Sequence, residues 1–152
     1  MGMARVLATI VHWAPARAVM ERERGLLVQW IREIVDGARR VDDDGSTGLL
    51  RNYLGDESWF GEVSGTALLA ATVYRMAVLV PDVFGKEYLE WADEKRKAVT
   101  ERVDEEGIAK PAVQPLDHLL REPLMTGSPE GQSFVLEMSA AWRDCMCLGV
   151  CG

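Results

Sequence analysis

Segments that are apolar almost all round alternate along this chain with segments that carry one apolar stripe, and the alternation repeats. Met3 to Trp13 is apolar on nearly every face, which suits a helix buried on all sides. Pro15 predicts its end. Glu21 to Arg40 differs. Leu26, Leu27, Trp30, Ile31, Ile34, Val35 and Ala38 form one stripe, with Arg, Glu, Gln and Asp elsewhere, so this helix lies outside something. Asp42-Asp43-Asp44-Gly45-Ser46-Thr47-Gly48 is a turn cluster. The cycle then returns. Gly65 to Val80 is apolar with Arg75 as its lone charge, and it stops near Pro81. Lys86 to Val103 is charged outside, with Tyr88, Leu89, Trp91, Ala92, Ala98, Val99 and Arg102 on or beside the buried stripe. Asp104-Glu105-Glu106-Gly107 echoes the first turn. Val41 and Val103 match at an offset of about 62 residues, the size of a helical hairpin plus a long loop. A third apolar segment runs from Pro129 to Cys145, with Ser128 as N-cap and Pro129 at the first helical position.

The order is inner, outer, loop, inner, outer, loop, inner: about two and a half hairpins. The predicted fold is all-α. Leu49 to Leu54 and Ala112 to Leu116 are at most short extended pieces, biased that way by Pro111 and Pro115. Two arrangements suit the pattern, a curved array of hairpins or a ring with the apolar helices inside. The chain begins and ends on inner helices, and neither looks like a polar cap. Self-association through those helices is therefore one expectation.

The 152 residues make one domain's worth of chain. A domain over residues 1–144 and a Cys-containing tail over 145–152 are expected. The net charge is -7, and the basic residues are interleaved with acids, as in Glu21-Arg22-Glu23-Arg24. Both argue against nucleic acid, which needs clustered Lys and Arg. No apolar run is long enough to span a membrane, and no clear signal peptide is read; the compartment is left open, with the cytoplasm favoured. Cys145, Cys147 and Cys151 form neither a disulfide framework nor a complete metal site, and they read as a frayed tail of reduced thiols. No cofactor or metal is expected. His12, on an apolar helix, reads as a hydrogen-bonded core residue.

The stretch from Gly48 to Ala71 carries the most chemistry. A turn-rich loop with Arg51, Asp56, Glu57 and Trp59 leads into Glu62-Val63-Ser64-Gly65-Thr66-Ala67 at the mouth of an inner helix, and loops so placed often carry function. Gly48-Leu49-Leu50-Arg51-Asn52-Tyr53-Leu54, then Glu62-Val63-Ser64-Gly65-Thr66-Ala67, then Asp104-Glu105-Glu106-Gly107 resemble the C-terminal half of six-hairpin glycosidases. The closest type is the unsaturated rhamnogalacturonyl and glucuronyl hydrolases, glycoside hydrolase families 105 and 88. A final helix entered through Ser128-Pro129-Glu130-Gly131-Gln132 fits the same pattern. The resemblance implies a partial (α/α)6 toroid. It also implies carbohydrate as ligand, namely oligosaccharides from pectin-type polysaccharides that end in an unsaturated uronic acid.

The reaction implied is hydration of the C4–C5 double bond, with an aspartic acid as proton donor. In the family that aspartate lies upstream of the region matched here. The expectation is thus a fragment with no catalytic residue of its own and little or no activity alone. The candidate substrate-binding residues are Arg51, Trp59, Glu62, Ser64, Thr66 and His118. Arg51 is a partner for the uronate carboxylate or a surface arginine; Trp59 is a sugar-stacking wall or a packing residue. Glu62, Ser64 and Thr66 line a cavity at a helix N-terminus, where N–H groups favour anions, or simply cap that helix. His118 belongs to the mouth of the site. Asp56 and Glu62 are a weaker candidate carboxylate pair. The alternative function is a non-catalytic helical-hairpin module that binds itself or a partner protein.

Overall fold

The computed structural model describes residues 1–42, 47–117 and 119–152. They form six helices: α1 (Gly2–His12), α2 (Ala14–Val19), α3 (Glu21–Arg40), α4 (Val63–Leu79), α5 (Lys86–Thr100) and α6 (Pro129–Cys147). Extended structure among the described residues amounts to three isolated antiparallel bridges, Arg51 with Gly61, Val103 with Ala109 and Ala112 with Leu124. The two extended segments expected from the prolines shrink to these single pairings.

The inner–outer alternation is present. α4 packs against α6 and α5 and touches α1, while α1 packs against α3. Two hairpins, α1–α3 and α4–α5, plus the inner helix α6 make a partial toroid of helical hairpins. α4 is buried round most of its circumference; Val63, Ala67, Ala70, Val73, Tyr74 and Met76 are fully enclosed, while Gly65, Leu68, Leu69 and Arg75 are half-buried. Its Ala-rich sequence lets neighbouring helices approach closely, and burying each of its larger side chains contributes roughly 1.5–3 kcal/mol.

Pro15 does not simply end the first helix. The chain straightens at Trp13 (φ -91°, ψ 106°) and Pro15 then opens the short α2, because a proline without its N–H is tolerated in a first helical turn. On α3 the apolar stripe is only half used. Ile31, Val35 and Ala38 are buried, but Trp30 and Ile34 remain 46% and 51% exposed. α1 covers one flank of that stripe, and no described element covers the other. His12 is also exposed rather than in the core. α1 turns Ala4, Leu7 and Ile10 inward, and His12 falls at its last turn.

The outer helices α3 and α5 are joined by polar bonds. The Tyr88 hydroxyl donates to Asp36 Oδ1 at 2.7 Å, and the Arg39 guanidinium lies 4.4 Å from the centre of the Tyr88 ring. Just past α3, Asp42 accepts from Trp91 Nε1 at 2.6 Å and from Lys95 Nζ at 2.7 Å. Lys95 Nζ also donates to the Gly48 carbonyl at 3.1 Å. This buried cluster holds both ends of the connection between α3 and the site loop.

The tail differs from expectation. α6 continues through Cys147, so a boundary at 144/145 would fall inside a helix. Cys145 is fully buried beside Met138 and Ala141 and is bonded to Cys151; Cys147 is free and exposed. Cys145 lies seven residues beyond Met138, on the same face of α6. Gly149, at φ 68°, turns the chain back so that Val150 N–H donates to the Cys145 carbonyl at 3.1 Å. The last residues are thus folded against the core and not frayed.

Removing one partner of the buried pair should cost far more than removing both. Lys95→Met leaves Asp42 buried and uncompensated and should lower unfolding stability by about 3–5 kcal/mol. Adding Asp42→Asn should restore much of that in urea unfolding. A loss below about 1 kcal/mol in the single variant would exclude the cluster as an anchor.

Candidate functional site

Local sequence builds the site in two steps. First, Leu49 and Leu50 are buried and pin the start of the loop. Gly48 adopts φ 70°, and a Cβ there would stand 3.0 Å from the Ala98 Cβ, so glycine lets the loop press on α5. Second, the loop doubles back on itself. Glu62 N–H donates to the Leu50 carbonyl and Asn52 N–H to the Phe60 carbonyl, each at 3.0 Å. The Thr66 hydroxyl ties the two ends together: it accepts from Leu50 N–H at 2.9 Å and donates to the Glu62 carbonyl at 2.5 Å.

Glu62 is the N-cap of α4. Its carboxylate accepts from Ser64 N–H at 2.6 Å and Gly65 N–H at 2.5 Å. Val63 N–H donates to the Pro111 carbonyl at 2.9 Å. The first three N–H groups of α4 therefore all have internal partners. Glu62 is only 4% exposed. Burial pushes its carboxyl above the ordinary range, against the pull of the backbone N–H groups that stabilise the charge.

The first turn of α6 meets that of α4. Ser128 Oγ accepts from Gly131 N–H at 3.0 Å. A Cβ on Gly131 would lie 2.9 Å from Ser64 Oγ and 3.0 Å from Ser128 Oγ. Gln132 ties α6 to the Asp104 turn, accepting from Ala109 N–H at 2.7 Å and donating to the Gly107 carbonyl at 2.8 Å.

The loop tip is an aromatic cluster. The rings of Tyr53 and Trp59 are 4.5 Å apart, and those of Trp59 and Phe60 6.1 Å apart. Trp59 is buried, with the Arg121 guanidinium 4.9 Å from its ring centre. Arg121 also donates to Ser58 Oγ at 2.6 Å. Ser58 in turn donates to Asp56 Oδ1, and these bonds hold the Asp56 carboxyl below the usual carboxylate range.

Of the expected site residues, the fold brings Arg51, Trp59, Glu62, Ser64 and Thr66 into one loop–helix junction. Arg51 is half-buried and paired across the loop with Gly61. His118 lies outside the described residues, as do Asp43 and Asp44. Asp56 bonds Ser58 within the loop, and Glu62 stands where the loop enters α4. Tyr53, Asn52 and Arg121 join the junction without having been expected. Asn52 stood within the quoted loop motif, and its amide Nδ2 is buried with no partner. Arg121 gave no signal, because it reaches Ser58 from 63 residues away. Among the described residues, Asn52 Nδ2 and Ser64 Oγ are the buried side-chain polar atoms that lack a partner. No group of three His, Cys, Asp or Glu that could hold a metal is found among them.

The architecture has a counterpart among solved structures. It matches the crystal structure of a possible member of the GH105 family from Salmonella enterica subsp. enterica serovar Paratyphi A, with a TM-score of 0.65 and 20% sequence identity. The match covers 80% of this chain and 32% of that one. The fold is a partial six-hairpin toroid. At this identity the likeness is one of fold. This chain spans about a third of the length of the protein it matches. No family profile matches the sequence, and no curated protein matches it.

The raised Glu62 carboxyl has a pH signature. In the folded state it binds its proton more tightly than in the unfolded chain, so folding takes up a proton between the two values and stability falls as pH rises through them. Glu62→Gln should flatten that fall. Urea unfolding at steps from about pH 4 to about pH 7 should show the parent chain losing ground to the variant as pH climbs. Parallel curves would rule out a raised carboxyl.

Proposed function

We propose that this chain is a glycoside-hydrolase-like, carbohydrate-binding part of a six-hairpin toroid, and that its ligand is an oligosaccharide ending in an unsaturated uronic acid. The observation that carries this reading is the buried Asn52 Nδ2, which has no partner in the loop entering α4, with the Ser64 hydroxyl of the first turn lacking a well-aligned one. An unsatisfied buried polar group costs roughly 1–3 kcal/mol, and sugar hydroxyls offer the donors and acceptors that would offset it. Arg51 supplies the cation for the uronate carboxylate, which the occupied N–H groups of α4 cannot. Trp59, buried and already covered by Tyr53 and Arg121, serves as the wall behind the exposed Tyr53 ring. Glu62 and Thr66 hold the junction's shape. No aspartic acid in the described loop is placed as a proton donor, so the chain alone binds without turning over.

An unsaturated uronate disaccharide tests this. Loss of its double-bond ultraviolet absorbance should not exceed background, and robust turnover would refute the inactive reading. Saturable binding should be seen by calorimetry. Ser64→Ala and Asn52→Leu should each weaken it by about 1 kcal/mol, or roughly fivefold, and Arg51→Met by about tenfold or more. Thermal unfolding of Ser64→Ala should be unchanged or higher. No saturable binding by the parent chain would end the carbohydrate reading.

One observation favours a second reading, self-association. Trp13, Trp30 and Ile34 are exposed at the α1–α3 edge of the array, and Leu136 and Leu148 at the α6 edge. Patches of this kind mark interaction surfaces. Light scattering after size exclusion should give a mass above 16.9 kDa that falls to the single-chain value in Trp30→Lys with Leu136→Lys. A parent chain that is a thermostable monomer at all concentrations would exclude it.

A further inference from the structure

A cavity of about 380 Å³ lies between α1, α4 and α6, well away from the loop junction. Arg75 on its wall is thirteen residues beyond Glu62 on α4, about 20 Å along the helix axis. The volume is within the range of small-molecule pockets. Ala4, Ala8 and Ala140 make the room, and Val78 and Leu79 complete an apolar body.

Charge is confined to a few groups. Arg5 pairs with Glu137, and both line the space. Arg75 Nη1 donates to Asp144 Oδ2 at 2.7 Å, while Arg143 Nη2 holds Asp144 Oδ1 at 3.0 Å. Asp144 is thus shared by two guanidiniums, and Arg143 and Arg75 keep its carboxyl below the usual carboxylate range. On the wall itself two guanidiniums, Arg5 and Arg75, face one carboxylate, Glu137, with His12 beside them; Asp144 and Arg143 are not part of that wall. A positive surplus beside an apolar chamber stands out in a chain of net charge -7. It complements a ligand that is greasy at one end and singly anionic at the other.

We propose that this cavity binds a small amphipathic carboxylate, its alkyl or aryl body among Ala4, Ala8, Ala140, Val78 and Leu79 and its carboxylate on Arg75. At roughly 30 Å³ per water-sized unit, the chamber takes a body of about a dozen heavy atoms. The site is independent of the sugar reading: one needs an apolar body and Arg75, the other Arg51, Asn52 and Ser64.

Calorimetric titration of the full chain with octanoate, octan-1-ol, octylamine and glucuronate tests it. Octanoate should bind saturably and about tenfold more tightly than octan-1-ol, with octylamine weaker still and glucuronate unable to displace it. Arg75→Met should bring octanoate down to the affinity of octan-1-ol while leaving the alcohol unchanged, a result that also reports an intact chamber. Ala8→Trp, which fills the chamber, should lose both ligands while unfolding cooperatively. Absence of saturable octanoate binding to the parent chain would overturn the proposal. So would an octanoate affinity unchanged in Arg75→Met, binding that survives Ala8→Trp, or displacement of octanoate by glucuronate.

Discussion

α4 has almost no face it can turn to water. Apart from the Ser64 hydroxyl, its residues from Val63 to Ala77 are apolar or internally bonded, and Arg75 reaches outward to an ion pair with Asp144. A helix of this kind is stable only when surrounded. α5, α6 and α1 enclose its sides, and two loops close over its N-terminus. The buried Lys95–Asp42–Trp91 cluster then acts as a clasp, because it fixes where the first of those loops begins. The outer helices can remain charged and exposed because the enclosing is done beneath them.

The same closure governs what the junction can recognise. Helix N-termini often present N–H groups to anions. Here Pro111 and the Glu62 carboxylate occupy those of Val63, Ser64 and Gly65. In the proposed carbohydrate reading, recognition therefore passes from backbone to side chains, to Arg51, Asn52 and Ser64. A carboxylate that accepts two N–H groups and also resists ionisation through burial is a structural part whose protonation is felt by the whole fold. Of the two roles considered for Glu62, the bonds it makes are those of a cap.

Long apolar periodicity made α4 and α6 legible in the sequence, as did the Ser128–Pro129 entry to α6 and the alternation of inner and outer helices. What could not be read depended on pairs distant in the chain. The Arg121 contact with Trp59 and Ser58 joins two loops that carry no shared pattern. Trp30 and Ile34 belong to a stripe whose width was visible, but whether a neighbour covered both flanks was not. His12 was misplaced because one exposed turn at a helix end leaves no mark on an apolar segment. Cys145 was taken for tail because composition near a terminus says little about which side chain points inward. Its spacing from Met138 and Ala141 was the overlooked clue.

The close meeting of Gly131 with Ser64 and Ser128 has a geometric consequence. Side chains here would act like shims between neighbouring staves of a barrel. With none at Gly131, the staves α4 and α6 lean together at this rim. Their spacing at that end depends on position 131 carrying no side chain. A side chain added there would wedge the two helices apart at one end only, and so tilt one against the other.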